Sequence, residues 1–189
     1  MASAAEHLPT EADVVELGAG EARNLVYLAT RYDHRVTAVD FAPTALEQAR
    51  TLAADHGVSL ETVEADLRTW TPDRQWDGVL VTFVQLLPHE RPRFYRVIQD
   101  ALRPGGVAIA EWFRPAHLTG KYARIGPSKM DRMVPPDELR KHFSSMDILQ
   151  CEATETMLDE GNKLQGRAAV VRFVAQKPEG GENSRSDSS

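Results

Sequence analysis

Three carboxylates and two glycines carry the chemistry legible in the chain. Glu16 stands just ahead of Leu17-Gly18-Ala19-Gly20, Asp40 follows Gly20 by twenty residues, and Asp66 follows Asp40 by twenty-six. Closely spaced glycines allow a sharp turn and a close approach of backbone to ligand. A carboxylate at the end of the next strand can accept bonds from both ribose hydroxyls. One that follows a third strand stands where the exocyclic amine of an adenine arrives. Singly, each feature is commonplace, because a strand-end Asp often does no more than cap the following helix. In this order and spacing they point to an adenosine-containing ligand.

Charge narrows the ligand further. A dinucleotide site needs a third glycine three positions after the second, and Arg23 stands there. Glu16 would repel a pyrophosphate but suits the ammonium of a methionine moiety. S-adenosylmethionine, which has no phosphate, is consistent with both features, and the nicotinamide reading falls behind.

The elements that position these residues show as alternating periods. Asp13 to Leu17, Arg35 to Val39, Val58 to Val63, Trp76 to Val84 and Val107 to Phe113 read as strands. Between them, Ala22, Leu25, Val26 and Ala29 recur at helical spacing, as do Ala45, Leu46, Ala49, Leu52 and Ala53 behind Pro43, and Phe94, Val97, Ile98, Ala101 and Leu102 ahead of Arg103-Pro-Gly-Gly106. Pro135-Pro136 opens a short helix. Two β runs, about Met146 to Leu158 and Gln165 to Ala175, finish the chain around a turn at Asp159-Glu-Gly-Asn162. Alternating β and α units imply a parallel sheet with right-handed crossovers. The expected fold is α/β: a single doubly wound, Rossmann-like, seven-stranded, mostly parallel sheet with a C-terminal antiparallel hairpin. It occupies residues 13–176, after a short N-terminal segment, 1–12, and before a tail, 177–189, whose composition predicts disorder.

Composition excludes several classes. With 28 acidic against 22 basic residues the net charge is −6, so a nucleic acid is not drawn in by the overall field. No apolar run is long enough to cross a bilayer, and Met1 to Thr10 lacks the pattern of a secretory signal. The lone cysteine, Cys151, precludes an internal disulfide, and no histidine pair has metal-ligand spacing. The expectation is a cytoplasmic, metal-free protein that acts on a small molecule, without membrane or nucleic-acid partner.

The segments Val14 to Ala29, Val36 to Asp40, Glu64-Ala-Asp66 and Leu102 to Gly106 resemble the successive motifs of class I S-adenosylmethionine-dependent methyltransferases. Glu21-Ala-Arg-Asn24 with Tyr27, the Gly126-Pro127 loop and the Gly161 to Val174 hairpin resemble, more narrowly, the tellurite-resistance methyltransferases and their small-molecule relatives. The resemblance implies S-adenosyl-L-methionine as cofactor and S-adenosyl-L-homocysteine as product. It implies that Glu16, Gly18, Ala19 and Gly20 hold the methionine part, that Asp40 holds the ribose with Phe41 beside the adenine, and that Asp66 and Leu67 take the adenine edge. Thr82 would face the methionine part and the transferred methyl. Arg23 and Asn24, at the next helix start, are candidates for the cofactor carboxylate, with a surface salt bridge the alternative for Arg23.

Two departures stand out. Only about 12 residues precede the first strand, where relatives usually carry a longer aromatic segment over the cofactor. That cover is absent, or is supplied by a second subunit, as in a homodimer, or by the 114–134 loop. Relatives also commonly place a His near Gln85, so a His-based role is in doubt there, and Gln85 is taken as a substrate contact. Thr82-Phe-Val-Gln85 is not the Asn/Asp-Pro-Pro-aromatic turn of base-amino methyltransferases.

The segment Trp112 to Met133 carries Arg114, Lys121, Arg124, Lys129 and Arg132 against one acid, Asp131. Either it is an electrostatic funnel for an anionic acceptor, with Arg114, Lys121, Tyr122 and Arg124 at the substrate, or it is a solvated loop over core aromatics. His89 and His117 are the candidate general bases, against the plainer reading of exposed loop histidines. A soft acceptor already anionic at pH 7 needs no base. The expected reaction is in-line methyl transfer to a small thiol or chalcogen oxyanion. A carboxylate, a protein side chain, or a cofactor-binding module serving a catalytic partner are the alternatives.

Overall fold

The computed structural model describes residues 2–119, 122, 124–160 and 164–180. Its strands are β1 (Asp13–Leu17), β2 (Arg35–Asp40), β3 (Leu60–Glu64), β4 (Trp76–Thr82), β5 (Leu102–Phe113), β6 (Asp147–Glu160) and β7 (Leu164–Gln176). The helices are α1 (Arg23–Tyr32), α2 (Pro43–Asp55), α3 (Arg91–Asp100), α4 (Ala116–Thr119) and α5 (Pro136–His142), with 3₁₀ helices at Ala2–His7 and Met130–Arg132.

Side chains alternate across a strand, and β1 shows what that does here. Val14 packs with Leu25 and Leu28 of α1 and Leu46 and Ala49 of α2, whereas Val15 and Leu17 pack with Phe94, Val97 and Ile98 of α3. Helices therefore cover both faces, and all five residues of β1 are buried. This is why the strand shows no apolar/polar alternation: Val14, Val15 and Leu17 are apolar whichever face they meet, and Asp13 and Glu16 are its two acids.

The strand order is β3-β2-β1-β4-β5-β7-β6. The chain runs outward from β1 through β2 to β3, then returns to the other side of β1 with β4. Strands β1 to β5 pair in parallel, and β7 pairs antiparallel with both β5 and β6. The reversal between β1 and β4 opens a crevice above their carboxyl ends, the place where such sheets bind ligands.

Several boundaries differ from expectation. β3 begins at Leu60, because the chain turns at His56 and Gly57, the latter with a left-handed φ of 67°, and the two residues after it are not yet paired in the sheet. β5 starts at Leu102, ahead of Pro104-Gly105-Gly106, and its partner register jumps from Trp76↔Leu102 to Gly78↔Val107. The Pro-Gly-Gly stretch is a bulge within the strand. In the final hairpin Asp159 and Glu160 still pair with Gln165 and Leu164, while Gly161 and Asn162 of the expected turn lie outside the described residues. Ahead of β1, buried Ala5 and partly buried Leu8 pack on the α1 face of the sheet, Leu8 against Val107, Ile109 and Val174.

Candidate active site

Where β1 ends, Gly18 turns with a φ of +76° and its N–H, like that of Ala19, donates to the carbonyl of Val39 at the end of β2. A Cβ at Gly18 would lie 2.6 Å from Cγ2 of Val84, which approaches across the crevice. Side chains rarely tolerate that φ, so conformation and space both require glycine. Asp40 closes β2 with Oδ2 accepting from the Gly20 N–H at 2.8 Å and Oδ1 from the Ala42 N–H at 2.9 Å. One carboxylate thus shapes the glycine turn and the start of α2, while its residue lines the cleft.

Glu16 is 1% exposed and stands behind the cleft surface. Its Oε1 accepts from Asn24 Nδ2 at 2.7 Å and from Thr82 Oγ1 at 2.8 Å. The strand registers explain the meeting: Glu16 lies beside Leu80 of β4, two residues short of Thr82, and Asn24 is in the first turn of α1. Thr82 lines the cleft, and Glu16 fixes its hydroxyl from behind.

On the β3 side, Asp66 takes a bidentate ion pair from Arg68 at 2.9 and 2.6 Å. The adjacent guanidinium holds the Asp66 carboxyl well below the usual carboxylate range, at about 2. Phe41, 74% exposed, stands on the rim, and Leu67 is nearly buried on the wall. Arg23 pairs with Glu21 on the surface, 58% and 44% exposed, and the cleft lining does not include it.

The opposite wall comes from the segment after β4. Phe83 adopts a left-handed φ of 55°, unusual for a bulky side chain, and its ring packs on Phe113 with centroids 5.0 Å apart. Val84 to Leu87 follow, with Gln85 exposed on the lining. Arg132, from the 3₁₀ helix at Met130–Arg132, donates to the Gln85 carbonyl at 3.2 Å. The cleft holds about 540 Å³, inside the range of small-molecule sites.

The 114–132 segment does not act as one surface. Tyr122 and Arg124 line a neighbouring pocket with His117, Tyr122 donates to Glu155 at 2.6 Å, and Lys121 lies outside the described residues. Arg114 is partly buried, its backbone N–H bonded to Ala169, on the strand end beside that pocket. Of the five basic residues read as a funnel, only Arg132 lines the main cleft among those described. His117 is 5% exposed, with the Ala169 N–H donating to Nδ1 and Nε2 lying 2.9 Å from the Ile125 carbonyl. A ring that accepts at Nδ1 and donates at Nε2 has no lone pair for a substrate proton, so the base role is not available to it. His89 is exposed in the turn before α3, off the cleft lining.

Sequence reasoning passed over Arg68, Val84 and Glu90 as cleft residues and counted Arg132 only as one of five cations in the funnel. Arg68 was within reach, two places after Asp66. The others depend on chain crossings that no local spacing records.

A doubly wound sheet with a glycine turn after β1 and strand-end acids after β2 and β3 has the arrangement in which such sheets hold nucleotide ligands. Residues 14–106 match the methyltransferase domain family. The chain is 24% identical over 168 residues to trans-aconitate 2-methyltransferase of Shigella dysenteriae, covering 85% of this chain and 65% of that enzyme. TehB from Haemophilus influenzae superposes with a TM-score of 0.75 at 18% identity over 93% of this chain and 60% of TehB. A Burkholderia thailandensis 1,6-didemethyltoxoflavin-N1-methyltransferase, solved with S-adenosylhomocysteine, gives 0.67 at 20% identity over 94% and 76%. Residues 14–106 thus carry a methyltransferase domain, and the chain resembles the class I S-adenosylmethionine-dependent methyltransferases, TehB among them. It spans about two thirds of the length of the trans-aconitate enzyme it matches. Among the described residues no helix is long and apolar enough to cross a membrane.

Proposed function

We propose that this chain transfers the methyl group of S-adenosylmethionine to a small anionic acceptor, and that the acceptor group is a carboxylate. The observation that carries the reading is a cation at the acceptor side of the cleft with no carboxylate on it among the described residues. The glycine turn, Asp40 and the Asp66–Arg68 pair stand on the β1–β3 side, Arg132 stands on the other near Glu90, and an apolar stretch of Phe83, Val84 and Leu86 lies between. When bound, S-adenosylmethionine supplies an electrophilic methyl on a sulfonium centre. Asp40 would accept from the ribose hydroxyls and Asp66 from the adenine amine, once the latter displaces or shares Arg68. Thr82, oriented by Glu16, and Asn24 serve the methionine part beside the Gly18 turn. Phe41 would lie on the adenine.

No histidine lines the cleft among the described residues. A carboxylate needs none, because it is already ionised at neutral pH and the work left is alignment in a dry site. The carboxylate comes ahead of a thiol or chalcogen oxyanion because the curated relatives are trans-aconitate methyltransferases. The reading includes a cytoplasmic enzyme, no nucleic-acid partner and 13–176 as the catalytic domain.

The test is direct. Calorimetry with S-adenosylhomocysteine should show one site, and labelled S-adenosylmethionine should methylate members of a panel of di- and tricarboxylates that includes trans-aconitate. Turnover of thiols or oxyanions with none of carboxylates would overturn the acceptor. Cofactor binding without turnover of anything would instead make the chain a module for a catalytic partner.

A further inference from the structure

Arg132 occupies a place that the cofactor does not explain. It lines the wall opposite Asp40 and Asp66, and no ion pair engages it among the described residues. The other cleft-lining guanidinium, Arg68, is committed to Asp66. Arg132 spends one donor on the Gln85 carbonyl, and a guanidinium has five in a planar fork that matches a carboxylate. With Asp66 and Arg68 paired, the remaining charge on the lining, from Asp40 and Glu90, would repel an anionic acceptor.

The turn that carries Arg132 is itself fixed by a buried cation. Arg91, only 8% exposed in its side chain, forms a bidentate pair with Glu138 at 2.6 and 2.8 Å. Its Nη1 donates to the Asp131 carbonyl at 2.7 Å and to the Leu86 carbonyl at 3.3 Å. Tyr95 adds a hydroxyl bond to Glu138 at 2.8 Å. One guanidinium thus ties the segment after β4, the 3₁₀ helix and the start of α5 into a single wall. Such support holds a binding group in place before the ligand arrives, which lowers the ordering cost of association.

We propose that Arg132 is the ligand for the acceptor's carboxylate, presented over the cleft by a wall that Arg91 holds together. This rests on the anionic-acceptor reading above and names the side chain that selects the acceptor. The test uses the full chain at saturating S-adenosylmethionine, with trans-aconitate as the carboxylate probe and 2-mercaptoethanol as a neutral one. Arg132→Gln should raise KM for trans-aconitate by roughly ten- to a hundredfold and move kcat far less. S-adenosylhomocysteine affinity and any turnover of the neutral probe should hold, and Arg132→Lys should recover part of the loss. If wild type methylates trans-aconitate and Arg132→Gln does so with unchanged KM, the assignment of Arg132 is overturned and the acceptor reading stands. If wild type neither binds nor methylates any carboxylate of the panel, the acceptor reading falls and the assignment falls with it.

Discussion

The β1–β3 wall of the cleft and the wall facing it are assembled on different principles. On the first, Gly18, Gly20, Asp40 and Asp66 each sit within three residues of a strand end, and adjacent strands in parallel register bring them together. The backbone does much of the work there: Gly18 and Ala19 donate to Val39, and Gly20 donates to Asp40. On the second, the contacts join Gln85 to Arg132 and Arg91 to Glu138, each pair 47 residues apart. Side chains and carbonyls of separate segments make that wall. On the proposed reading the first wall, built from strand ends, would hold the nucleoside, and the second, built from loops, would face the acceptor and could be rebuilt without touching the sheet. This division suits a fold that keeps one cofactor and varies its acceptors.

Substitutions can break or sharpen the contrast. The largest effect is expected at Gly18→Val, because a branched side chain is strained at a φ of +76° and its Cβ would meet Val84 at 2.6 Å. Cofactor binding should fall below detection by calorimetry while circular dichroism stays native. A folded variant with wild-type affinity would show that the turn is not the cofactor's seat.

Asp40→Ala should come next, weakening S-adenosylhomocysteine by at least about tenfold, since bonds to a charged acceptor are worth roughly 1.5–3 kcal/mol each. Asp40→Asn, which keeps one oxygen for the Gly20 N–H, should lose less. Equal affinity across all three proteins would remove the ribose contact.

A third test uses the amino-terminal end of the parallel strands, opposite the cleft, as reference. Asp13, at the start of β1, is paired with Arg35 at 2.6 Å and Arg103 at 2.9 Å. The Arg35 bond leads in holding its carboxyl down at about 2, and the ionised form stabilises the fold. A depressed pKa contributes stability that is present above the ordinary value near 3.8 and is lost as pH falls toward 2. Asp13→Asn should therefore cost on the order of 2 kcal/mol at pH 7 and flatten the acid limb of the denaturation profile between pH 4 and 2. Cofactor affinity of the folded variant should not move. If affinity drops with stability, the two ends of the strands are coupled more tightly than the contrast allows.

The smallest effect belongs to Arg124→Gln. This residue lines the pocket with His117 and Tyr122 and not the main cleft. Less than about a twofold change in kcat/KM for a carboxylate is expected at physiological salt, where exposed charges are screened over about 8 Å. A loss as large as that of Arg132→Gln would restore the basic segment as one distributed funnel.

What could be read from residues alone was whatever depends on neighbours in the chain. Strand and helix periods, the glycine turn after β1 and the carboxylates two strands in succession are local patterns, and a parallel sheet with right-handed crossovers converts them into one site with little freedom. The same locality explains the misses. His117 shows no sign in sequence that its two nitrogens will meet Ala169 and Ile125, and Arg132 looks no different from Arg124 or Arg114 along the chain. Tertiary structure alone decided which cation of the 114–132 segment faces the cleft. That choice rests on Arg91 reaching Glu138 and the Asp131 carbonyl across the α3 face. Contacts of that kind are set by how helices and loops cross over the sheet, and a crossing leaves no periodic or spacing signature in the residues that make it.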